Sequence, residues 1–418
     1  MRIWLINPFD PVPGEALRPG RYAFLAGMLA RGGHRVTWLT SNFSHTDKKH
    51  RGSPWAVQAP SPNLRIVLLP APAYGRNVGL KRILNHVMYS RRVVDWASRE
   101  RFAPDLILAS SPPLSSATGA VRLAERMGST SVVDIQDLWP QFFAMLLPRV
   151  LRNVGALLLR PASRYYAGVY SRADGIVAVC EALLREGLDG GITRASPRAL
   201  VVHLGIDLRL FDSYAGCTQD ASAPESGRHL KAVYIGTLGA ATDVSTLLQS
   251  AAILSRPRSP VTIVVAGSGP LLPAMRAEAA RRRLGNLSFA GFLPYELMVR
   301  LLRQCDIGLN PRVPGLPDGS YPNKVFDYMA AGLPIVNSVG GELAHLVRTE
   351  RIGLQYQAGS PESLAGALVD LLEDPQGRRE MGRRARQLAE ERFDRNKSYQ
   401  TYVDFLESIA GGGPSAIA

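Results

Sequence analysis

The stretch Asp318-Gly319-Ser320-Tyr321-Pro322-Asn323-Lys324-Val325-Phe326-Asp327-Tyr328-Met329-Ala330-Ala331-Gly332-Leu333-Pro334 reads as a loop, a short helix and a stop. Pro322 suits the first turn of a helix, and Gly332 with Pro334 ends it. Lys324 and Asp327 are three apart and share a helix face. Phe326 and Met329 fall on another face, which can pack inward. A helix start with open backbone N–H groups, an ammonium and, one turn on, a carboxylate fits a nucleotide diphosphate. The N–H groups and Lys324 suit the phosphates, and Asp327 suits vicinal ribose hydroxyls. The same pattern also describes a surface helix with an ordinary i,i+3 ion pair.

Working outward, short apolar runs alternate with helical patterns. In the first half, runs at Arg2–Ile6, Arg35–Thr40, Leu64–Leu69, Leu106–Ala109, Ser131–Ile135 and Gly175–Val179 read as strands. Helical patterns run from Arg21 to Arg31 and up to about Met127. The second half repeats this with Lys231–Ile235, Pro260–Ala266, Asn286–Ala290, Ile307–Asn310, Pro334–Val339 and Leu354–Tyr356. Buried strands alternating with helices predict an α/β chain of two Rossmann-like, doubly wound parallel sheets facing a cleft. The expected division is a first domain at 1–205, a second at 206–390, and a C-terminal helix with a frayed tail at 391–418. Asp212–Gly227 reads as the linker or a loop just past it.

A length of 418 residues fits two domains, and 46% apolar with 20% charged residues fits a soluble globular class. No run approaches the roughly 18–20 apolar residues of a spanning helix. The apolar start breaks at Asn7 and Pro8, so it reads as a buried strand rather than a leader. Cys180, Cys217 and Cys305 are odd in number and far apart, which fits reduced thiols in the cytosol. No Cys/His spacing or Asp-x-Asp pair suggests a metal site, so a bound diphosphate is expected to meet Lys, Arg and N–H groups, with no cofactor. Charge is lopsided. Residues 1–211 hold 27 Lys and Arg against 14 Asp and Glu, and residues 212–418 hold 22 against 21. That confinement suggests an anionic partner for the first half.

Several ordered elements carry a family resemblance. They are Asp134-Ile135-Gln136-Asp137-Leu138-Trp139-Pro140, Ala173 to Glu181, His203-Leu204-Gly205-Ile206-Asp207, Tyr234 to Gly239, Ala266 to Pro270, Phe289 to Pro294, and Pro322 to Pro334. Together they resemble glycosyltransferases of the two-Rossmann (GT-B) fold in the retaining family 4, most nearly the bacterial transferases of lipopolysaccharide O-antigen and capsule synthesis. The resemblance implies a sugar moved from a nucleotide sugar, by family habit UDP-linked, to an acceptor hydroxyl, with 1–205 as the acceptor-binding domain, 206–390 as the nucleotide-sugar-binding domain, and the helix in 391–418 returning toward the first. Asp327 falls where the family has the second Glu of its Glu, seven residues, Glu motif. The first Glu falls at Gly319, which leaves sugar recognition to other groups, Asp318 among them. Where the family often has Arg and Lys after the second domain's first strand, this chain has Thr237 and Thr242. The resemblance places Lys324, Asp327 and Asp137 at the chemistry, Asp137 as the group that orients or deprotonates the acceptor. Gly236, Gly239, Gly269, Phe292, Leu293, Asp318, Ser320, Tyr321, Pro322 and Asn323 are expected around the donor. Arg18, Gly20 and Arg21 are expected in a turn facing the diphosphate.

Between Asp137 and Asp174 there is no acidic residue, while Arg149, Arg152, Arg160 and Arg164 alternate with large apolar residues. A second basic stretch includes Arg82 and Arg91. Arginines interleaved with apolar side chains at helical spacing describe an interfacial helix on an anionic leaflet. The combined expectation is a cytoplasmic enzyme peripheral on the inner face of the cytoplasmic membrane, using a lipid-linked (polyprenyl diphosphate) saccharide acceptor. A sugar-nucleotide epimerase of the same architecture and a non-catalytic nucleotide-sugar-binding subunit are the alternatives. Nucleic acid is disfavoured, because the basic stretches lack aromatic stacking platforms.

Overall fold

The computed structural model describes residues 1–418 except 16–17, 78, 138, 141–143, 145–146, 148–150, 189–197, 217–228, 256–259, 317–320 and 412–418. The chain forms two compact units, Met1–His203 with Tyr399–Ala418, and Leu204–Ser398.

The first unit is built on strands β1 (Arg2–Ile6), β2 (Arg35–Ser41), β3 (Val57–Ser61), β4 (Leu64–Leu69), β5 (Leu106–Ser111), β6 (Thr130–Ile135), β7 (Gly175–Ala178) and β8 (Arg198–Val201). Their order is β3-β4-β2-β1-β5-β6-β7-β8. All pairings are parallel except β3 with β4. Strands such as Leu106–Ser111 are buried at every position, since helices cover both faces and each face needs an apolar side chain. One face packs against helix Arg21–Arg31 and the C-terminal Tyr399, Tyr402 and Leu406. The other packs against helices Leu80–Ala97 and Leu114–Met127 through Tyr89, Val93, Trp96 and Ala120.

The second unit holds β9 (Leu230–Ile235), β10 (Val261–Ala266), β11 (Leu287–Gly291), β12 (Ile307–Asn310), β13 (Ile335–Asn337) and β14 (Gly353–Gln355). They run parallel in the order β11-β10-β9-β12-β13-β14. The order reverses between β9 and β12, and open α/β sheets bind ligands at the carboxyl ends of strands beside such a reversal. The doubly wound parallel sheets expected from the apolar runs are therefore present.

Asp212–Gly227 follows the division between units rather than forming it, the second of its two expected readings. Its first residues belong to helix Leu208–Ala215, capped by the Asp207 carboxylate accepting from Leu210 N, and residues 217–227 lie outside the described part. The division between units falls earlier, at His203/Leu204. Strand β3 at the sheet edge was not expected. Its burial is patchy, so no apolar run marks it.

Candidate active site

In the second unit, four loops follow the carboxyl ends of β9, β10, β11 and β12. Backbone hydrogen bonds tie three of them together. Leu238 N–H donates to Ser268 O (2.8 Å), Leu271 N–H to Leu238 O (3.1 Å) and Gly267 N–H to Gly291 O (2.7 Å). Such close approach demands glycine. A Cβ on Gly269 would lie 2.4 Å from Leu238 O at φ +148°, and one on Gly267 would lie 1.9 Å from Gly236 O. Gly236 also has positive φ, whereas Gly239 has room for a side chain.

Helix Asn323–Ala330 follows β12. Its N-cap is Pro322, and no side chain caps its first turn. Its N-terminus therefore carries the positive end of the helix dipole. Lys324 reaches back over β9. Its ammonium lies 4.1 Å from the centre of the Tyr234 ring and 3.7 Å from where a Gly236 Cβ would be. Tyr234 is a fixed platform, since its hydroxyl donates to Thr237 O (2.8 Å) and pairs with Thr242 Oγ1 (2.9 Å). Thr242, which stands where the resemblance has a basic residue, thus braces the loop rather than meeting charge.

The missing charge arrives from another strand. Arg312, two residues past β12, pairs with Thr242 in an isolated antiparallel bridge. Burial and the Arg312 charge bring Lys324 down to about 7. Two cations gathered beside a helix start supply the charge and the dipole that a polyanion would meet. No sequence motif marked Arg312. Its only signal was a basic residue just past an apolar strand, in Asn310-Pro311-Arg312.

The other residues expected around the donor differ in their surroundings. Asp327 is buried and accepts from the Tyr295 hydroxyl at 3.4 Å. Tyr321 is buried beside Phe326 and Phe393, so its ring belongs to the core and only its backbone can serve a ligand. Asn323 is exposed. Phe292 is 62% exposed, and Leu293 packs against the core. Asp318 and Ser320 lie outside the described residues.

A pH dependence follows from Lys324. A bound diphosphate favours the ammonium form, so above pH 7 binding takes up a proton. Affinity for a nucleoside diphosphate should fall as pH rises, approaching about tenfold per unit from about pH 8 to 9, above the last phosphate ionisation and below that of the uracil N3 proton. Lys324→Arg should flatten that slope. Calorimetric titrations across this range check both expectations.

The first unit corrects the expected diphosphate turn. Arg21 is 2% exposed and gives its guanidinium to fully buried Asp134, at 2.9 and 3.0 Å, and to Val202 O at 2.8 Å. It also lies over the Tyr402 ring. A guanidinium so engaged is a strut and offers nothing to a ligand. The helix start is likewise engaged, because Tyr22 N–H donates to the Asp10 carboxylate. A Cβ on Gly20 would lie 2.4 Å from Asp10 Oδ2, so the anion that Gly20 admits is the chain's own. Arg18 is partly exposed in that turn.

Arg82 is likewise engaged within the first unit. Expected on a membrane face, it is half-buried, stacked 5.0 Å over the Trp139 ring and 5.6 Å over the Phe9 ring. Asp137, exposed past β6, is the acid whose charge acts on it. Among the other expected surface arginines, Arg91, Arg160 and Arg164 are exposed. Arg149 lies outside the described residues, and of Arg152 only the backbone is described.

Helix Arg152–Tyr170 exposes Val154, Leu157, Leu158 and Tyr165, with Leu158 at 75%. Helix Leu80–Ala97 exposes Leu80, Ile83, Leu84 and Val94. A groove of about 660 Å³ between helices Leu80–Ala97 and Leu114–Met127 is walled by Leu84, Val87 and Met88, with Arg91, Arg92 and Arg122 also lining it. Among the described residues, no helix is long and apolar enough to cross a membrane.

Comparison with known proteins bears on both units. The family described as "Glycosyl transferase 4-like domain" matches residues 21–205, and "Glycosyl transferases group 1" matches residues 229–374. An uncharacterized glycosyltransferase of Methanocaldococcus jannaschii is 20% identical over 243 residues, 58% of this chain and 60% of that protein. The match thus spans less than two thirds of the relative's length. Among solved structures, sucrose-phosphate synthase of Thermosynechococcus elongatus aligns with a TM-score of 0.73 at 17% identity, covering 99% of this chain and 100% of that one. Anabaena HepE in complex with UDP-glucose aligns at 0.66 and 17%, covering 98% and 100%. WaaG, a glycosyltransferase involved in lipopolysaccharide biosynthesis, aligns at 0.63 and 15%, covering 98% and 100%. At these identities the structures speak for the fold.

Proposed function

We propose that this chain, a glycosyltransferase of the GT-B fold, moves a sugar from a nucleotide sugar, UDP-linked by preference, to a saccharide carried on a polyprenyl diphosphate. Anomeric configuration is retained, and the product serves lipopolysaccharide O-antigen or capsule synthesis at the inner face of the cytoplasmic membrane. The observation that carries the donor half is the gathering of Lys324, Arg312 and the start of helix Asn323–Ala330 at the strand reversal of the second sheet. As the bond from the anomeric carbon to the diphosphate breaks, its electron pair leaves with the phosphate, and these groups stabilise the charge that develops. The acceptor oxygen forms the new bond and gives up its proton, for which Asp137 is the nominated base. Two protein cations supply the countercharge in this reading, and no divalent metal is called on. Asp327 takes the ribose hydroxyls.

The lipid half rests on the exposed apolar faces of helices Leu80–Ala97 and Arg152–Tyr170, set among arginines, and on the groove, which we assign to the acceptor's lipid chain. HepE supports UDP through fold alone, and WaaG supports the envelope role in the same limited way. The test is turnover. Bacterial membranes plus a panel of nucleotide sugars should yield free nucleoside diphosphate and a glycolipid heavier by one sugar. A folded protein inactive with every donor would overturn the reading, and so would a sugar nucleotide product of unchanged mass.

Membrane binding has its own measurement. Exchanging Arg91, Arg160 and Arg164 together for Gln should weaken sedimentation with phosphatidylglycerol vesicles by about a hundredfold, from about 1 kcal/mol per cation. High salt should release the wild-type protein.

A further inference from the structure

We propose that the first unit carries a diphosphate subsite, made by His45, Lys48, Arg82 and His86, that takes the phosphoryl groups of the acceptor. The proposal rests on the lipid-diphosphate acceptor named above and assigns it residues. These four side chains come from the loops after β2 and from the first two turns of helix Leu80–Ala97. Phe9, Tyr74 and Trp139, which follow β1, β4 and β6, wall them in. The cluster therefore lies at the carboxyl ends of the parallel strands, where open α/β sheets take ligands.

Hydrogen bonding makes the cluster a set of donors. An ammonium can only donate, and Lys48 Nζ lies 3.4 Å from His45 Nδ1, which also meets the Tyr74 hydroxyl at 2.5 Å. His45 Nδ1 is therefore the acceptor, and its proton is on Nε2. Arg82 Nε donates to His86 Nε2 at 3.3 Å, which places the His86 proton on Nδ1. Asn77 holds both cations in place, its side-chain oxygen accepting from Lys48 at 2.6 Å and its carbonyl from Arg82 at 2.6 Å. The Phe9 ring packs against both imidazoles in T-shaped contacts, 5.4 Å from His45 and 5.5 Å from His86 between ring centres.

Electrostatics agree with the geometry. Burial lowers His45 and His86 to about 3, and the charges of Lys48 and Arg82 push His45 the same way, with Arg82 acting on His86. Arg82 also depresses Lys48, after burial. At neutral pH the cluster gathers two cations and two neutral N–H donors among aromatic walls, with one acid, the exposed Asp137, acting on Arg82. The repulsion between Lys48 and Arg82 that remains is relieved by an added anion, and aromatic walls strengthen the attraction by excluding water. A diphosphate has the charge and the several acceptor oxygens to meet all four.

The test uses the full-length protein with ¹⁵N-labelled histidine. Inorganic pyrophosphate should shift the ring signals of His45 and His86 saturably. The Lys48→Gln and Arg82→Gln variants should each bind at least tenfold more weakly, with Arg82→Lys in between. Farnesyl diphosphate in micelles should displace pyrophosphate, while UDP, tested in the Lys324→Met background, should not. In turnover assays Arg82→Gln and Lys48→Gln should raise KM for a lipid diphosphate acceptor more than tenfold and leave the donor KM unchanged. Unmoved histidine signals, undiminished pyrophosphate affinity in a Lys48→Gln/Arg82→Gln protein of normal melting temperature, or a rise in donor KM alone would each overturn the subsite. If pyrophosphate binds as described but wild-type enzyme glycosylates only phosphate-free acceptors, the anion site stands and the acceptor proposed above is what fails.

Discussion

Replacing Lys324 with Met should lower kcat/KM for the nucleotide sugar by about 10²–10³-fold, the loss typical of one preorganised donor to a developing anion. The reason is position. The ammonium is held over the Tyr234 ring beside Arg312 and the glycine loop at Gly236, at the strand reversal of the second sheet. Methionine keeps the length and apolar stem, so the fold should survive, and the melting temperature checks that. Because burial already depresses the Lys324 pKa, removing the charge in the free protein relieves an unfavourable contact with Arg312. The variant should therefore be no less stable than wild type while being far less active. A variant that lost stability and activity in step would point to a structural role instead. Asp327→Ala should act differently, raising donor KM through the lost ribose contact.

The second large effect concerns stability. Arg21→Met should cost about 3–5 kcal/mol, because it leaves the Asp134 carboxylate charged, fully buried and short of its bidentate partner. Arg21 joins the start of helix Arg21–Arg31 to the end of β6, to Val202 past β8 and to the C-terminal Tyr399 and Tyr402. One substitution therefore loosens four parts of the first unit. Pairing it with Asp134→Leu should recover much of the loss, since apolar replacement of a buried ion pair is often close to neutral. Chemical denaturation of the single and double variants measures this. Donor KM should stay unchanged in whichever variants fold, which separates the strut from the diphosphate contact first expected of this arginine.

What could be read in the sequence was local. The stretch from Pro322 to Pro334 announced its helix because the proline, the glycine and the spacing of Lys324 and Asp327 all lie within one helix and its stop. Parallel strands announced themselves as apolar runs, because burial on both faces disfavours polar positions; Leu106–Ala109 was legible in this way, while the buried Ser110 and Ser111 that complete its strand were not. What could not be read was tertiary. Arg312 is brought beside Lys324 by the end of β12 and its bridge to Thr242, not by any spacing. Arg82 looked like one more arginine on a basic helix until Trp139, far along the chain, supplied its stacking partner. Arg21 and Gly20 looked poised for an external anion because sequence does not show that Asp134 and Asp10 fill that role.

In the proposed mechanism protein cations, Lys324 foremost, hold the leaving diphosphate. Calorimetric binding of UDP at pH 7 in excess chelator, to wild type and to Lys324→Met, puts this to the test. Wild-type binding should be indifferent to the chelator, and the variant should bind about 10–100-fold more weakly, the worth of one charged hydrogen bond. Equal affinity in the two proteins, or wild-type binding that vanishes without a divalent cation, would contradict it.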